Sequence, residues 1–125
     1  MVEKVPSEAE AKYNKYVQLR ETLNALAQER ITVEGSLAEI ESLLEKLKEL
    51  PGDADLYKME GYILVKATRD SIMEELNKRK EDLEIRLKAL KSQEDSLKRE
   101  LERLAEELKR LLARQQGGAG GLGGL

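Results

Sequence analysis

The sequence predicts a mainly α-helical protein, in which a long antiparallel two-helix coiled coil carries a single β-hairpin between its helices. Two heptad-patterned segments of similar length flank one short β-prone segment. The chain has 125 residues, of which 38% are charged, and its only aromatic residues are four tyrosines. This length allows one domain at most. Because few residues are available for a globular core, we expect the two helices to bury their apolar seams against each other.

Residues 7–50 form the first predicted helix. Apolar residues recur alternately three and four positions apart, which is the pattern of a helix that lies along another helix. The ten seam residues are Tyr16, Leu23, Arg30, Leu37 and Leu44 in one row, and Leu19, Leu26, Val33, Ile40 and Leu47 in the other. Nine of them are apolar, and Arg30 is the exception. Ser7 and Glu10 have capping-box spacing, and Pro51 ends the helix. Residues 1–6 are expected to form an N-terminal tail.

Residues 68–115 form the second predicted helix. Its twelve seam residues are Leu76, Leu83, Leu90, Leu97, Leu104 and Leu111 in one row, and Met73, Lys80, Leu87, Glu94, Leu101 and Leu108 in the other. Ten of them are apolar, and Lys80 and Glu94 are the exceptions. Three residues are candidate N-caps, namely Thr68, Asp70 and Ser71, and Ser71 would form a capping box with Glu74. The two helices are matched in length, so folding back through a compact connection would bury both seams.

Residues 51–67 contain the predicted hairpin. Two short β-prone stretches are separated by Glu60 and Gly61. We favour a type I turn with a bulge, because only Gly61 then needs a positive φ. This turn would place Tyr57 opposite Ile63 and Leu56 opposite Leu64, with apolar groups on both faces.

An isolated two-stranded ribbon is marginally stable in water and leaves its strand edges unpaired. The hairpin should therefore pair with hairpins of other copies or homologues, and closing into a β-barrel would remove the edges. The residues predicted to form this oligomerisation segment are Leu56, Tyr57, Met59, Gly61, Tyr62, Ile63, Leu64 and Val65.

The far ends of the helices form the second candidate site. Val17 and Leu112 fall just outside the seam rows, so the tip has more apolar surface than the helix pair can bury. A frayed apolar tip could bind exposed apolar segments of other proteins; the alternative is that these are ordinary seam and flank residues. The predicted tip residues are Tyr13, Tyr16, Val17, Leu19, Leu104, Leu108, Leu111 and Leu112. Residues 116–125 are Gly-rich and are expected to form a flexible tail.

Three charged residues interrupt the seams: Arg30, Lys80 and Glu94. Pairing the helices through the hairpin places Arg30 within about a turn of Glu94, so a salt bridge between them is geometrically feasible and would fix the register. The alternative is that the long side chains extend to solvent.

Composition argues against several classes of function. The chain has no Cys and no His, which removes thiol nucleophiles, imidazole bases and the usual zinc sites. Its carboxylates are spread along solvated helix faces, so we expect no enzyme activity, no catalytic residues, no cofactor and no metal site. A net charge of −3 argues against a nucleic-acid partner. No apolar run is long enough to cross a membrane, and the cytoplasm is the expected location.

The hairpin sequence resembles a known family. Leu50-Pro51-x-Asp53-Ala54, followed by Tyr57-Lys58-x-x-Gly61-x-Ile63-Leu64-Val65-Lys66, is similar to the signature of prefoldin β subunits, especially archaeal ones. The similarity continues into the second helix with Leu83-Glu84-x-Arg86-Leu87-x-x-Leu90-x-x-Gln93-Glu94. It covers residues 7–115.

This resemblance implies a heterohexamer of two α and four β subunits, whose hairpins form a double β-barrel platform. It also implies that coiled-coil tips hold unfolded client proteins for transfer to a group II chaperonin without ATP. A prefoldin α subunit is therefore an expected partner. The alternative function is an architectural coiled-coil spacer or adaptor that binds one defined protein.

Overall fold

Two long helices and one β-hairpin make up the described part of the chain. The computed structural model describes residues 7–118, with side chains through Arg114. The order is α1 (Ser7–Glu49), β1 (Leu56–Glu60), β2 (Ile63–Ala67) and α2 (Arg69–Gly118). This order confirms the predicted fold class. Helix α2 continues to Gly118, beyond the end expected at Gln115; the predicted N-terminal tail, residues 1–6, and residues 119–125 of the predicted Gly-rich tail lie outside the described residues.

Helix α1 has the charge distribution that a helix dipole favours. Glu8 and Glu10 occupy its first turn, and Lys46 and Lys48 occupy its last turn. The helix ends at Glu49, one residue before Leu50, whose position ahead of a proline disfavours helical geometry. The chain then turns, because the amide N–H of Ala54 donates to the carbonyl of Pro51 at 3.1 Å.

Thr68 is the N-cap of α2. Its hydroxyl oxygen accepts a hydrogen bond from the amide of Ser71 at 3.1 Å. Its carbonyl accepts from the amide of Ile72 at the same distance, which closes the first helical turn. Of the three candidate caps in the sequence, the structure therefore selects Thr68, because only it precedes the helix and can satisfy an otherwise unpaired amide.

The hairpin differs from the predicted one in turn and register. Glu60 pairs with Ile63, so the loop consists of two residues, Gly61 and Tyr62. Gly61 has a φ of 61°, and among residues 7–118 it alone has a positive φ. A two-residue loop with glycine first is a type II′ turn, which matches the twist of the flanking strands. The predicted bulged turn centred on Glu60 and Gly61 is therefore wrong.

The register follows from this turn. Tyr57 lies opposite Lys66 rather than Ile63, and Leu64 lies opposite Met59 rather than Leu56. The register shift is an odd number of residues, so it changes which side chains share a face of the ribbon.

The chain divides into two compact units. The hairpin unit comprises residues 29–90, and the tip unit comprises the described residues 7–28 and 91–118. All predicted seam residues are buried or half-buried in the unit that contains them. The most buried apolar ones are Val33, Leu37, Ile40, Leu44, Leu47 and Leu90 in the hairpin unit, and Leu101 and Leu104 in the tip unit.

Ion pairs give the direction of the helices within each unit. In the hairpin unit, Glu29 pairs with Arg86 and Glu41 pairs with Lys80. In the tip unit, Lys12 pairs with Glu107 and Lys15 pairs with Glu100. Residue numbers rise along α1 as they fall along α2, so the helices are antiparallel in each unit.

Candidate functional site

The hairpin has an inner and an outer face. Side chains alternate along each strand. The inner face carries Leu56, Lys58, Val65 and Ala67, and all four are half-buried. The outer face carries Tyr57, Met59, Leu64 and Lys66, and all four are exposed. The predicted oligomerisation residues of the strands therefore divide between the two faces, with Leu56, Ile63 and Val65 on the inner one.

The outer face exposes an unusual amount of apolar surface. Met59 and Leu64 lie directly opposite each other and are 67% and 66% exposed. Tyr57, Tyr62 and Ile63 extend the exposed surface along the ribbon and around its turn. Single exposed apolar residues are common, but a contiguous group of this kind indicates an interaction surface. We call Tyr57, Met59, Tyr62, Ile63 and Leu64 the hairpin patch.

The open edges of the two strands are a second feature of the hairpin that favours association. The sheet has two strands, so in the described part of the chain each strand has one neighbour and one open edge. An open edge presents amide and carbonyl groups that can pair with a strand from another chain. The hairpin patch and the open edges together form a surface suited to association with other β-structure.

An ion pair of Lys58 links the hairpin to α2. Its ammonium group lies 3.1 Å from a carboxylate oxygen of Glu60 and 3.3 Å from one of Glu75. The hydrogen bond to Glu60 raises the pKa of Lys58 above its usual range, and the hydrogen bond to Glu75 adds to the effect. Because Glu75 belongs to α2, this contact holds the first strand against the start of the helix.

Arg69 joins the end of α1 to the start of α2, a role that the sequence pattern alone did not predict. Its guanidinium donates to the carbonyl of Pro51 at 2.7 Å and to the carbonyl of Leu50. These carbonyls directly follow α1, where helix geometry provides no partner. The position of Arg69 in the sequence could have indicated this role. A cation in the first turn of a helix interacts unfavourably with the helix dipole, so it is expected to bind a partner outside the helix.

The predicted tip residues fall into three classes of burial. Tyr13 and Leu112 are exposed, with 57% and 43% of their surface accessible. Leu104 is 2% exposed and belongs to the seam of the tip unit. The others are half-buried: Tyr16, Val17, Leu19, Leu108 and Leu111. The structure therefore leaves mainly Tyr13 and Leu112 accessible to a partner.

One side of the tip unit is ionic. Lys12 lies 2.6 Å from Glu107, and Lys15 lies 3.9 Å from Glu100. Arg103 pairs with both glutamates. The hydrogen bond from Lys12 lowers the pKa of Glu107, and the hydrogen bond from Arg103 lowers the pKa of Glu100. We call these five residues the ionic clasp.

The other side of the tip unit carries its two exposed large apolar residues, Tyr13 and Leu112. If the seam rows are heptad positions a and d, Tyr13 and Leu112 take position e, whereas Lys15, Glu100 and Glu107 take position g. Positions e and g flank the seam on opposite sides, and in an antiparallel pair the e positions of both helices share one side. Tyr13 and Leu112 therefore lie on one side of the tip unit, and Lys15, Glu100 and Glu107 of the ionic clasp lie on the other.

The charged seam residues have nearby partners. Arg30 donates to Glu34 on its own helix at 3.0 Å, and Lys80 lies 3.9 Å from Glu41. Glu94 is buried, with 4% of its surface exposed. The predicted pairing of Arg30 with Glu94 joins residues of different units and stays a prediction.

Neither a metal centre nor a membrane span is found within residues 7–118. This part of the chain contains no cluster of three or more acidic, histidine or cysteine residues arranged to hold a metal ion. It also contains no helix that combines the length and the apolar character needed to span a bilayer.

The arrangement defines a class of coiled-coil protein whose two helices are joined by one β-hairpin with exposed apolar side chains and open strand edges. The family model for prefoldin subunits matches residues 10–115. The chain therefore belongs to the prefoldin family, and the resemblance seen in the hairpin and α2 sequences is confirmed. Prefoldin subunits are components of a hetero-oligomeric chaperone, so membership implies assembly with other subunits of the family.

Individual relatives agree with this assignment. The chain is 44% identical to the prefoldin subunit beta of Saccharolobus islandicus (strain L.S.2.15 / Lassen #1) over 94 residues, which cover 75% of each chain. It is 35% identical to that of Sulfurisphaera tokodaii over 122 residues, covering 95% of this chain and 98% of the relative. The crystal structure of the prefoldin beta subunit from Thermococcus strain KS-1 superposes with a TM-score of 0.81 at 30% identity, covering 87% of this chain and 96% of that one.

Proposed function

We propose that this chain is the β-type subunit of a prefoldin heterohexamer and holds unfolded proteins without ATP. The observation that carries the proposal is the hairpin patch, which is exposed, apolar and bounded by open strand edges. In an assembly of two α and four β subunits, neighbouring hairpins would bury this patch and pair these edges in a β-barrel platform. Each helix pair would then carry its tip to the client protein.

A charge on the hairpin patch tests the assembly. Leu64→Glu would place a carboxylate among the apolar side chains of the proposed interface, and a buried unpaired charge is strongly unfavourable. The matched control is Ile85→Glu, because Ile85 is an equally exposed apolar residue, 68% accessible, but lies on α2 away from the hairpin patch. Native mass spectrometry with a prefoldin α subunit should show the full complex for the control and its loss for Leu64→Glu. A full complex from Leu64→Glu, with helical content unchanged, would refute the platform.

We further propose that the tips capture unfolded clients and release them to a group II chaperonin in the cytoplasm. Each tip offers little apolar surface, so single contacts should be weak. Several tips acting on one client raise the effective concentration and strengthen binding without new contacts. No catalytic step is needed for this function.

Removing the exposed tip residues tests client capture. The double substitution Tyr13→Ser and Leu112→Ser should reduce suppression of client aggregation while leaving assembly intact. The control pair, Ile31→Ser and Ile85→Ser, removes residues that are 53% and 68% exposed but lie outside the tip unit's described residues. If wild-type protein suppresses aggregation of none of several unrelated denatured proteins, the spacer function replaces the chaperone function.

A further inference from the structure

The sulfur atoms of this chain all belong to methionines, which differ in exposure. There is no cysteine, and the three methionines are Met1, Met59 and Met73. Met59 is 67% exposed on the outer face of the hairpin, whereas Met73 is half-buried in the seam of the hairpin unit. Met1 lies outside the described residues. Within residues 7–118, Met59 therefore carries the sulfur that an oxidant in solution reaches most readily.

We propose that Met59 is an oxidation site that controls assembly. Hydrogen peroxide would convert its thioether to a sulfoxide, and the oxidised hairpin would no longer associate with other subunits. This inference rests on the proposed function, because it takes the hairpin patch as the assembly surface. It adds to that surface a covalent modification that acts on the unassembled chain.

The modification is the transfer of one oxygen atom to sulfur. A lone pair of the Met59 sulfur attacks one oxygen of hydrogen peroxide, the O–O bond breaks and a sulfur–oxygen bond forms. The sulfur is oxidised and the peroxide is reduced, and the second oxygen leaves as water with both protons. Methionine sulfoxide reductases reverse the modification, so the control is reversible.

Met59 lies at the centre of the surface that a neighbouring strand would meet. Glu60 and Ile63 flank the two-residue turn and form a hydrogen-bonded pair, so Met59 and Leu64 form the next, non-hydrogen-bonded pair. The side chains of such a pair are close neighbours on their face of the ribbon. The backbone N–H and C=O groups of Met59 and Leu64 point outward to the open strand edges. Met59 therefore belongs to both the hairpin patch and a free edge.

The surroundings of Met59 suit a thioether better than a sulfoxide once the face is covered. Its cross-strand neighbour Leu64 offers no hydrogen-bond donor. The polar groups of this face belong to Tyr57 and Lys66, which form a pair about 7 Å further along the ribbon. Lys66 already pairs with Asp55 at 3.6 Å. A sulfoxide oxygen buried beside Leu64 would lose its water without an equivalent partner, which is unfavourable.

The exposure of Met59 separates an effect on assembly from an effect on folding. In the unassembled chain a sulfoxide at this position stays hydrated, so the hairpin itself should change little. In the proposed assembly each β-type hairpin would bury one sulfoxide, and the unfavourable contributions of several subunits would combine. Oxidation should therefore prevent association while leaving the free chain folded.

Peroxide treatment of the isolated chain tests the reactivity. Peptide mass spectrometry over time should show sulfoxide forming several-fold faster at Met59 than at Met73. After assembly with a prefoldin α subunit, oxidation of Met59 should slow several-fold, because the hairpin patch is then covered. Equal rates at Met59 and Met73 in the isolated chain would overturn the inference.

Assembly of the oxidised chain tests the consequence. The chain is oxidised alone, freed of peroxide and mixed with an untreated α subunit. Native mass spectrometry should show that the concentration needed for half-maximal assembly rises at least about tenfold, and treatment with methionine sulfoxide reductases should restore it. The matched control is Met59→Leu, which keeps an apolar side chain of similar volume and retains Met1 and Met73. It should assemble equally well before and after peroxide.

Three outcomes separate this inference from the proposed function. Unchanged assembly of a wild-type chain whose Met59 is fully oxidised would overturn the inference and leave the platform standing. An equal loss of assembly by peroxide-treated Met59→Leu would also overturn it, because another residue would be responsible. Failure of the untreated wild-type chain to assemble would instead refute the proposed function, and the inference with it.

Discussion

The ammonium group of Lys12 lies 2.6 Å from a carboxylate oxygen of Glu107, and this pair joins α1 to α2 in the tip unit. The contact lowers the pKa of Glu107 from the ordinary glutamate value of 4.5. A carboxylate with a lowered pKa stabilises the folded state above its unfolded-state pKa, and this contribution is lost as pH falls through the folded-state value.

We therefore expect the tip unit to loosen in acid, beginning near pH 4.5. Hydrogen exchange of the first turns of α1, measured between pH 6 and pH 3 at matched intrinsic rates, should show increased opening at low pH. In Glu107→Gln the carboxylate is absent, so opening should be greater at pH 6 and its acid dependence smaller. An acid dependence equal to that of wild type would show that Glu107 is not responsible.

Gly61 is expected to be the residue of the hairpin least tolerant of substitution. Its φ of 61° is unfavourable for an L-residue, although an added Cβ would meet no atom within 4 Å. Gly61→Ala should therefore destabilise the hairpin by about 1 kcal/mol through backbone strain. Gly52→Ala is the control, because Gly52 has the same open space without a positive φ. Hydrogen exchange of the Lys58 and Val65 amides measures the difference, and equal effects of both substitutions would contradict this account.

Thr68 and Ser71 give a paired test of the α2 cap. Loss of the Thr68 hydroxyl leaves the Ser71 amide without its partner, so Thr68→Ala should lower stability by about 1 kcal/mol. Thr68→Ser retains the acceptor and should restore most of this loss. Ser71→Ala should change stability by less than about 0.5 kcal/mol, because the Ser71 contact uses its backbone amide. Urea unfolding monitored by circular dichroism measures all three; a larger effect from Ser71→Ala would indicate that Ser71 is the cap.

Gly35 offers a stabilising substitution. It lies within α1, is exposed and has open space where a Cβ would be added. Because alanine loses less backbone freedom than glycine in a helix, Gly35→Ala should stabilise the chain by about 0.5–1 kcal/mol. Ala38→Gly, at another exposed position of α1, should destabilise it by a similar amount. Thermal unfolding measures both, and a lower Tm for Gly35→Ala would contradict this account.

The helices were predictable because their signal is local and repeated. The seam rows recur every three or four residues, and the structure buries or half-buries each of those residues. The ion pairs Lys12–Glu107 and Glu29–Arg86 were not predictable, since they depend on the axial alignment of two helices. A shift of one residue along either helix would give different partners.

The turn position and strand register of the hairpin could not be predicted from the local sequence. The sequence indicated that Gly61 takes a positive φ, and it does. The turn could still be centred before or after Gly61, and placing Tyr62 in the turn rather than in a strand sets the register. As a result Tyr57, Met59 and Leu64 share the exposed face. The sequence analysis named these residues as part of the oligomerisation segment, but it did not predict that they share a face.

The antiparallel pairing also suggests an order for folding. The pair Lys58–Glu75 closes a loop of 17 residues, Glu29–Arg86 one of 57 and Lys12–Glu107 one of 95. In an unfolded chain the last loop costs about 1.5 kcal/mol more entropy to close than the first. Pairing should therefore begin beside the hairpin and proceed toward the chain ends, so that Lys12 and Glu107 are among the last residues to pair during folding and among the first to separate during unfolding.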